Sequence, residues 1–136
     1  MKNVLLLPFM PREELNYVFS LGNVGLIISR PNTGSSAVPS KTWNIMMAGR
    51  PVLASFDIDS DLSDLIFQTK SGLVSDAGDK KGLVDNIKFA CSHRDQMATF
   101  GENGRKYVEE NLSAEVCTSK YIGVIMRAIE NAKHDK

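Results

Sequence analysis

The sequence predicts an α/β fold: an open parallel sheet with flanking helices and a helical C-terminal end. Apolar runs of strand length alternate with segments of helical period up to residue 75, and only helical periodicity follows. Alternating strands and helices with short connections imply parallel strands joined by right-handed crossovers. The chain has 136 residues, which suits one domain, so we expect a single domain over residues 1–136.

Four short apolar runs are the predicted strands. They cover residues 4–7, 24–29, 51–56 and 72–75. The first is continuous from Val4 to Leu7 and is closed by Pro8, a pattern typical of a strand buried on both faces. We therefore expect residues 4–7 to be a buried strand at the start of the sheet.

Helices are predicted between these strands. Pro11 opens the first, because Glu13 and Glu14 follow in the turn where the helix dipole favours negative charge, and Gly22 ends it. A second helix is expected over residues 39–48, since Gly49 fits its end.

Further helices are predicted after each of three capping residues: Ser60, Asp79 and Ser113. Another helical stretch, over residues 95–111, is interrupted by Gly101 and Gly104. The last helix carries an apolar stripe that we expect to face the body of the protein. Its members are Tyr121, Ile122, Ile125 and Ile129.

Composition excludes several classes of function. Lys plus Arg and Asp plus Glu number 16 each, so the formal net charge is zero and nothing favours nucleic acid or an anionic membrane surface. The longest apolar runs are too short to span a bilayer and no signal-peptide cleavage site follows the first, so we expect a cytoplasmic protein. Cys91 and Cys117 lack metal-like spacing and are predicted to be buried free thiols.

A candidate ligand-binding segment begins at Gly34, where a Gly/Ser loop leads from a strand into a short helix. Ligands of open parallel sheets bind outside the carboxyl ends of the strands, where this loop would lie. Amides at a helix start attract phosphate, and the hydroxyls of Ser35, Ser36 and Ser40 can donate to it. Lys41 adds a positive charge, and Gly34 permits a close backbone approach.

These residue types alone leave the function open. A Gly/Ser loop before a helix is more often a capped connection than a phosphate site. Lys41 and Asn44 could equally be solvated surface residues, and Trp43 fits a core stripe. Four acidic residues raise a metal hypothesis, although capping of the next helix explains some of them better. They are Asp57, Asp59, Asp61 and Asp64.

A longer pattern resembles a known family. Residues 38–41 are VPSK, and residues 45–54 are IMMAGRPVLA. Together they resemble the donor-site signature of group 1 glycosyltransferases, and in particular the subset in which PSK precedes a helix that ends MAAG(K/R)PV. Further segments resemble other passages of the family in the same order, so the resemblance covers nearly the whole chain. They are residues 9–15, 23–27, 63–66, 71–74 and 104–113.

The resemblance implies an enzyme of the GT-B fold. In that family the Rossmann-like C-terminal domain holds a nucleoside diphosphate sugar, and the N-terminal domain holds the acceptor. This chain would be a truncated C-terminal domain, an incomplete half of the fold. The full-length protein would transfer a sugar to a glycan or lipid-linked acceptor in polysaccharide biosynthesis, with retention of configuration. The resemblance implies neither a cofactor nor a metal, and it fits a cytoplasmic enzyme that is peripheral at the inner membrane.

The resemblance also implies site residues. Those for the base are Phe9 and Met10, and those for the sugar, diphosphate and ribose are Gly34, Ser35, Ser36, Ser40, Lys41 and Asn44. The chain departs from the family at two positions, because a pair of glutamates that is eight residues apart in relatives falls on Ser36 and Asn44. Asn44 can both donate to and accept from a ribose hydroxyl, but without the assistance of a charge.

A family domain has about two more strand–helix units before residue 1, preceded by an acceptor domain. We therefore expect the 136-residue chain to transfer no sugar and to bind nucleotide weakly, if at all. The sheet edge that those strands would pair should favour a homodimer or strand exchange. Two other interpretations stay open: a stand-alone nucleotide-sugar-binding or interaction module without catalysis, and a flavodoxin-like regulatory domain.

Overall fold

A computed structural model of the protein describes residues 3–33 and 38–134, with side chains as far as residue 132. The strands are β1 (Gly25–Ile28), β2 (Val52–Ser55) and β3 (Gly72–Ser75). The helices are α1 (Leu15–Leu21), α2 (Lys41–Met47), α3 (Asp61–Thr69), α4 (Lys80–Ser92), α5 (Arg94–Asn111) and α6 (Ala114–His134), and a 3-10 turn, Arg12–Glu14, precedes α1. The predicted α/β class with a helical C-terminal end is confirmed.

The sheet is parallel, with strand order β1-β2-β3. Gly25 pairs with Val52, and Val52 in turn pairs with Gly72, so the three strands start in register. Their carboxyl ends therefore lie together at one edge of the sheet, and the loops that lead into α2, α3 and α4 leave from that edge.

Both faces of the sheet carry helices, but to different extents. On one face, Ile27 and Ala54 share a buried cluster with Met46 of α2 and Ile66 of α3. On the other face α4 contacts β2 and β3, and Leu53 of β2 is buried there. The α4 face of β1 is less covered, since Leu26 remains 45% exposed.

Close approach of α5 to α2 depends on two glycines. A Cβ atom on Gly101 would collide with the backbone of Gly49, and one on Gly104 would lie 3.1 Å from Cγ of Met46. These glycines interrupt the helical pattern of the sequence, but α5 is continuous, and their missing side chains let it pack against the body.

The three predicted helix caps are confirmed. Ser60 Oγ accepts from the amide of Ser63 at 3.3 Å, Asp79 Oδ1 from that of Gly82 at 3.0 Å, and Ser113 Oγ from that of Val116 at 3.2 Å. Each bond satisfies one of the amides that a helix start leaves without an intrahelical partner. The sequence therefore predicted where α3, α4 and α6 begin.

The prediction of a buried first strand is wrong for this structure. Residues 4–7 are irregular, and Val4, Leu5, Leu6 and Leu7 are 55, 80, 89 and 57% exposed. Within the described chain β1 is bonded to β2 alone. A continuous apolar run indicates that a segment needs covering on both faces, but it does not supply the covering elements.

The expectation that α6 packs on the body is also wrong. Its stripe residues Tyr121, Ile122, Ile125 and Ile129 are 46–73% exposed, and the helix contacts the rest of the chain through α5.

The cysteines also differ from the expectation of burial. Both thiols are free, but Cys91 is exposed and Cys117 is half-buried. Among the described helices, none is long and apolar enough to cross a membrane.

Candidate functional site

The carboxyl edge of the sheet carries polar loops that hydrogen bonds hold together. The amide of Asn32, after β1, donates to Oδ1 of Asp57, after β2, at 2.9 Å. The amide of Ile58 donates to Oδ1 of Asp76, after β3, at 3.3 Å. These bonds join the three loops in sequence. Ligands of open parallel sheets bind at this edge, and here it is a polar surface whose loops are held together by hydrogen bonds.

The start of α2 lies at this edge and is open to solvent. Ser40 and Lys41 are both exposed, and the Ser40 side chain makes no capping hydrogen bond. The amides of Thr42 and Trp43 donate locally, to the carbonyls of Pro39 at 2.9 Å and Ser40 at 3.2 Å. A hydroxyl and an ammonium group are thus accessible to a ligand at the positive end of a helix.

Asn44 extends this surface along α2. It lies three residues after Lys41, which places the two side chains on the same side of the helix one turn apart. Asn44 is exposed, whereas Thr42, Ile45 and Met46 of the same helix are buried. Ser40, Lys41 and Asn44 are therefore exposed at the start of α2, while the other face of the helix is buried.

The remaining predicted site residues are not assembled with these. Gly34, Ser35 and Ser36 lie outside the described residues. Phe9 is wholly exposed and Met10 is half-buried, in the irregular segment before the 3-10 turn. Over residues 3–33 and 38–134, no hydrogen bond joins Phe9 or Met10 to α2. Their assignment to the site stays a prediction.

Three of the four acidic residues after β2 have structural roles. Asp57 is buried, and its carbonyl oxygen accepts from the hydroxyls of Ser60 at 2.6 Å and Ser63 at 2.8 Å. Asp61 and Asp64 lie in the first turn of α3, where the helix dipole favours negative charge. No cluster of three or more metal-ligating side chains is found among the residues that the structure describes.

Lys81 and Asp85 of α4 have shifted pKa values. A hydrogen bond between Lys81 and Asp85, with an N···O distance of 2.7 Å, raises the pKa of Lys81 and lowers that of Asp85. The coulombic attraction between the two groups acts in the same directions. Both side chains are on the surface, so this is a solvated i,i+4 ion pair rather than a tuned catalytic pair.

A cavity of about 510 Å³ lies at the opposite end of the sheet. Asn23 and Pro51, which precede β1 and β2, mark its position at the amino ends of these strands. The apolar part of its lining comes from Leu26, Leu53, Ile87, Ala90, Cys91 and Met97, and its charged part from Arg50, Arg94 and Glu102.

Nothing in the sequence marks this cavity. It exists because α4 contacts β2 and β3 and leaves Leu26 of β1 partly exposed, and that is a property of the tertiary arrangement. At the rim of the cavity, Nη2 of Arg50 donates a hydrogen bond to the carbonyl of Ser20 at 2.7 Å. This cavity and the candidate phosphate-binding surface are therefore at opposite ends of the sheet.

The chain is similar to the probable glycosyltransferase WbjE of Pseudomonas aeruginosa, with 23% identity over 124 residues. The match covers 91% of this chain but 30% of the length of WbjE. No family model matches the chain, and no solved structure matches it significantly. A distant relationship to a glycosyltransferase is thus supported over nearly all of the sequence.

Proposed function

We propose that this chain is the donor-binding part of a glycosyltransferase that moves a sugar from a nucleoside diphosphate sugar to a glycan or lipid-linked acceptor. The similarity to a named glycosyltransferase over 91% of the chain carries the proposal. The finer assignment, to the group 1 GT-B enzymes, is supported by the signature at residues 38–54 and by the order of the other family-like segments. A parallel sheet with polar loops at its carboxyl edge is an architecture suited to that function.

In this proposal the start of α2 binds the diphosphate. Breaking the bond between sugar and diphosphate places additional negative charge on the leaving phosphate. The ammonium of Lys41, the hydroxyl of Ser40 and the positive end of α2 would stabilise that charge. Catalysis of this kind is electrostatic and uses no covalent intermediate with these side chains.

The neighbouring residues would recognise the rest of the donor. Asn44, one turn along α2, can hydrogen-bond a ribose hydroxyl through its amide. We assign Gly34, Ser35 and Ser36 to the sugar and diphosphate, and Phe9 and Met10 to the base, on the family resemblance.

We also propose that the acceptor is bound outside residues 1–136. The match spans 30% of the length of WbjE, and Ser40, Lys41 and Asn44 are all exposed. A nucleotide bound by such exposed side chains would keep much of its contact with water, so its affinity would be weak, with Kd on the order of 1 mM. Sugar transfer by the 136-residue chain alone is not expected.

Amide chemical shifts of the 15N-labelled chain test the proposal. We expect UDP, GDP, ADP or dTDP, and also inorganic pyrophosphate, to shift the amides of Ser40, Lys41 and Thr42 and of the loop after β1. The variant Lys41→Ala should lose most of these shifts. The matched control Lys88→Ala removes an exposed lysine on α4 and should keep them.

Two outcomes would contradict the proposal. One is the absence of any shift with all of these probes at about 10 mM, a concentration that would saturate a millimolar site. The other is a set of shifts around the cavity at the amino ends of β1 and β2, which would place the ligand at the wrong end of the sheet.

A further inference from the structure

The cavity at the amino ends of β1 and β2 is lined mainly by apolar side chains. Its volume of about 510 Å³ is within the range of small-molecule sites, roughly 300–1,000 Å³. Leu53 in its lining is buried, whereas Leu26 and Ile87 are 45 and 43% exposed. Apolar side chains exposed in a hollow favour an occupant that removes them from water. The cavity therefore fits a hydrocarbon chain.

The charged residues of the lining make the cavity positive. Among the described residues that line it, Arg50 and Arg94 outnumber Glu102. In the described part of the chain none of these three belongs to an ion pair. Arg50 is half-buried, and its Nε is buried without a hydrogen-bond partner among the described residues. A guanidinium charge beside apolar surface with so few partners favours an anion in the cavity.

The spacing of charges along α5 indicates where that anion would bind. Arg94 is the first residue of α5, and Glu102 follows it by eight residues, about 12 Å along the helix axis. Both side chains are exposed, so their fields are screened over about 8 Å at physiological salt. An anionic group beside Arg94 would be attracted at short range, and repulsion by Glu102 would be weak.

We propose that this cavity binds a single-chain amphiphile with a carboxylate head, such as a medium-chain fatty acid. The hydrocarbon chain contacts Leu26, Leu53 and Ile87, and the carboxylate binds at Arg94. The cavity lies at the opposite end of the sheet from the start of α2. The site is therefore separate from the proposed donor site, and its occupancy does not depend on the proposed function.

Alkylation of thiols by iodoacetamide, measured by mass spectrometry of peptides, tests this binding. Cys91 lines the cavity and is exposed, whereas Cys117 of α6 is half-buried and lies outside the lining. We expect sodium decanoate, below its micelle-forming concentration, to slow the alkylation of Cys91 but not of Cys117, with Kd on the order of 0.1 mM. Octanoate is shorter by two methylenes and should bind about four- to fifteenfold more weakly.

Neutralising single charges separates recognition of the carboxylate from burial of the chain. The variant Arg94→Gln should raise the Kd of decanoate about three- to tenfold and leave that of neutral 1-decanol unchanged. The matched control Glu102→Gln removes the other exposed charge that α5 contributes to the cavity, and it should raise neither Kd.

Several results would overturn the proposal. One is unchanged alkylation of Cys91 in decanoate up to about 5 mM, and another is equal slowing of Cys117, which would show a non-specific effect. Equal Kd values for octanoate and decanoate would mean that the chain is not buried. An equal loss of decanoate binding in Arg94→Gln and Glu102→Gln would mean that Arg94 does not recognise the carboxylate. None of these measurements involves nucleotide, so a failure here is distinct from failure of the proposed function.

Discussion

Replacing Gly101 by Ala tests how closely α5 approaches the rest of the protein. Gly101 is buried, and a Cβ atom there would overlap the carbonyl of Gly49 and lie 3.3 Å from Cδ of Pro51. Gly49 itself has φ of +66°, in the left-handed region, so this piece of backbone is constrained and cannot easily move aside. Gly123 of α6 is the matched control, because a Cβ atom there would meet no atom within 4 Å.

The two substitutions should change stability in opposite directions. In a helix interior, Ala is more favourable than Gly by about 0.8–1 kcal/mol. Gly123→Ala should gain most of this. At Gly101 the same gain is opposed by the cost of overpacking, which is about 1–3 kcal/mol. We expect a cost toward the upper end of this range because the obstacle is backbone. The expected net effect of Gly101→Ala is a loss of about 1–2 kcal/mol in the free energy of unfolding.

Urea unfolding followed by far-UV circular dichroism measures both effects. The slope of the transition should be the same in wild type and both variants, which would show that unfolding exposes the same surface in each. A Gly101→Ala variant as stable as Gly123→Ala, or more stable than wild type, would show that α5 does not contact the turn between α2 and β2. The packing of α5 would then have to be revised.

Four further predictions follow from burial, exposure and hydrogen bonding. Ser60→Ala removes a buried cap and should lower the free energy of unfolding by about 1–2 kcal/mol in urea titrations, since the hydroxyl makes bonds at both the helix start and the preceding loop. Ile45→Ala, at a position 3% exposed, should cost about 2–5 kcal/mol. The α6 variant Ile122→Asp/Ile125→Asp should cost less than about 0.5 kcal/mol; a loss above 1 kcal/mol would mean that the stripe is buried after all. The variant Lys41→Ala should leave the urea midpoint unchanged while it removes nucleotide-induced shifts; loss of stability instead would indicate a structural role.

Much of the fold was predictable because its signals are local. The strand predicted over residues 72–75 has the same bounds as β3, and those predicted over 24–29 and 51–56 contain β1 and β2. A cap such as Ser60 is equally local, since its hydroxyl bonds an amide three residues ahead. A cap acts over a few residues, so what it predicts depends little on the rest of the chain.

The candidate site was only partly predictable. Ser40, Lys41 and Asn44 are exposed at the start of α2, which follows the carboxyl end of β1, and their role in binding stays a prediction. The position of Phe9 could not be obtained in this way, because it depends on whether residues 4–7 pair with β1. Pairing is a long-range event, and no short-range pattern reports whether it takes place.

The sequence by itself determined the order and parallel arrangement of β1, β2 and β3 and the caps at which α3, α4 and α6 begin. Tertiary structure alone decided which apolar surfaces are covered. The stripe of α6 and the run at residues 4–7 have the patterns of buried segments, but both are exposed in the structure. Gly101, by contrast, interrupts the helical pattern of the sequence but lies at a close packing contact of α5. The physical reason is that periodicity records a side chain's preference for burial, while burial itself requires a second surface that only the folded arrangement provides.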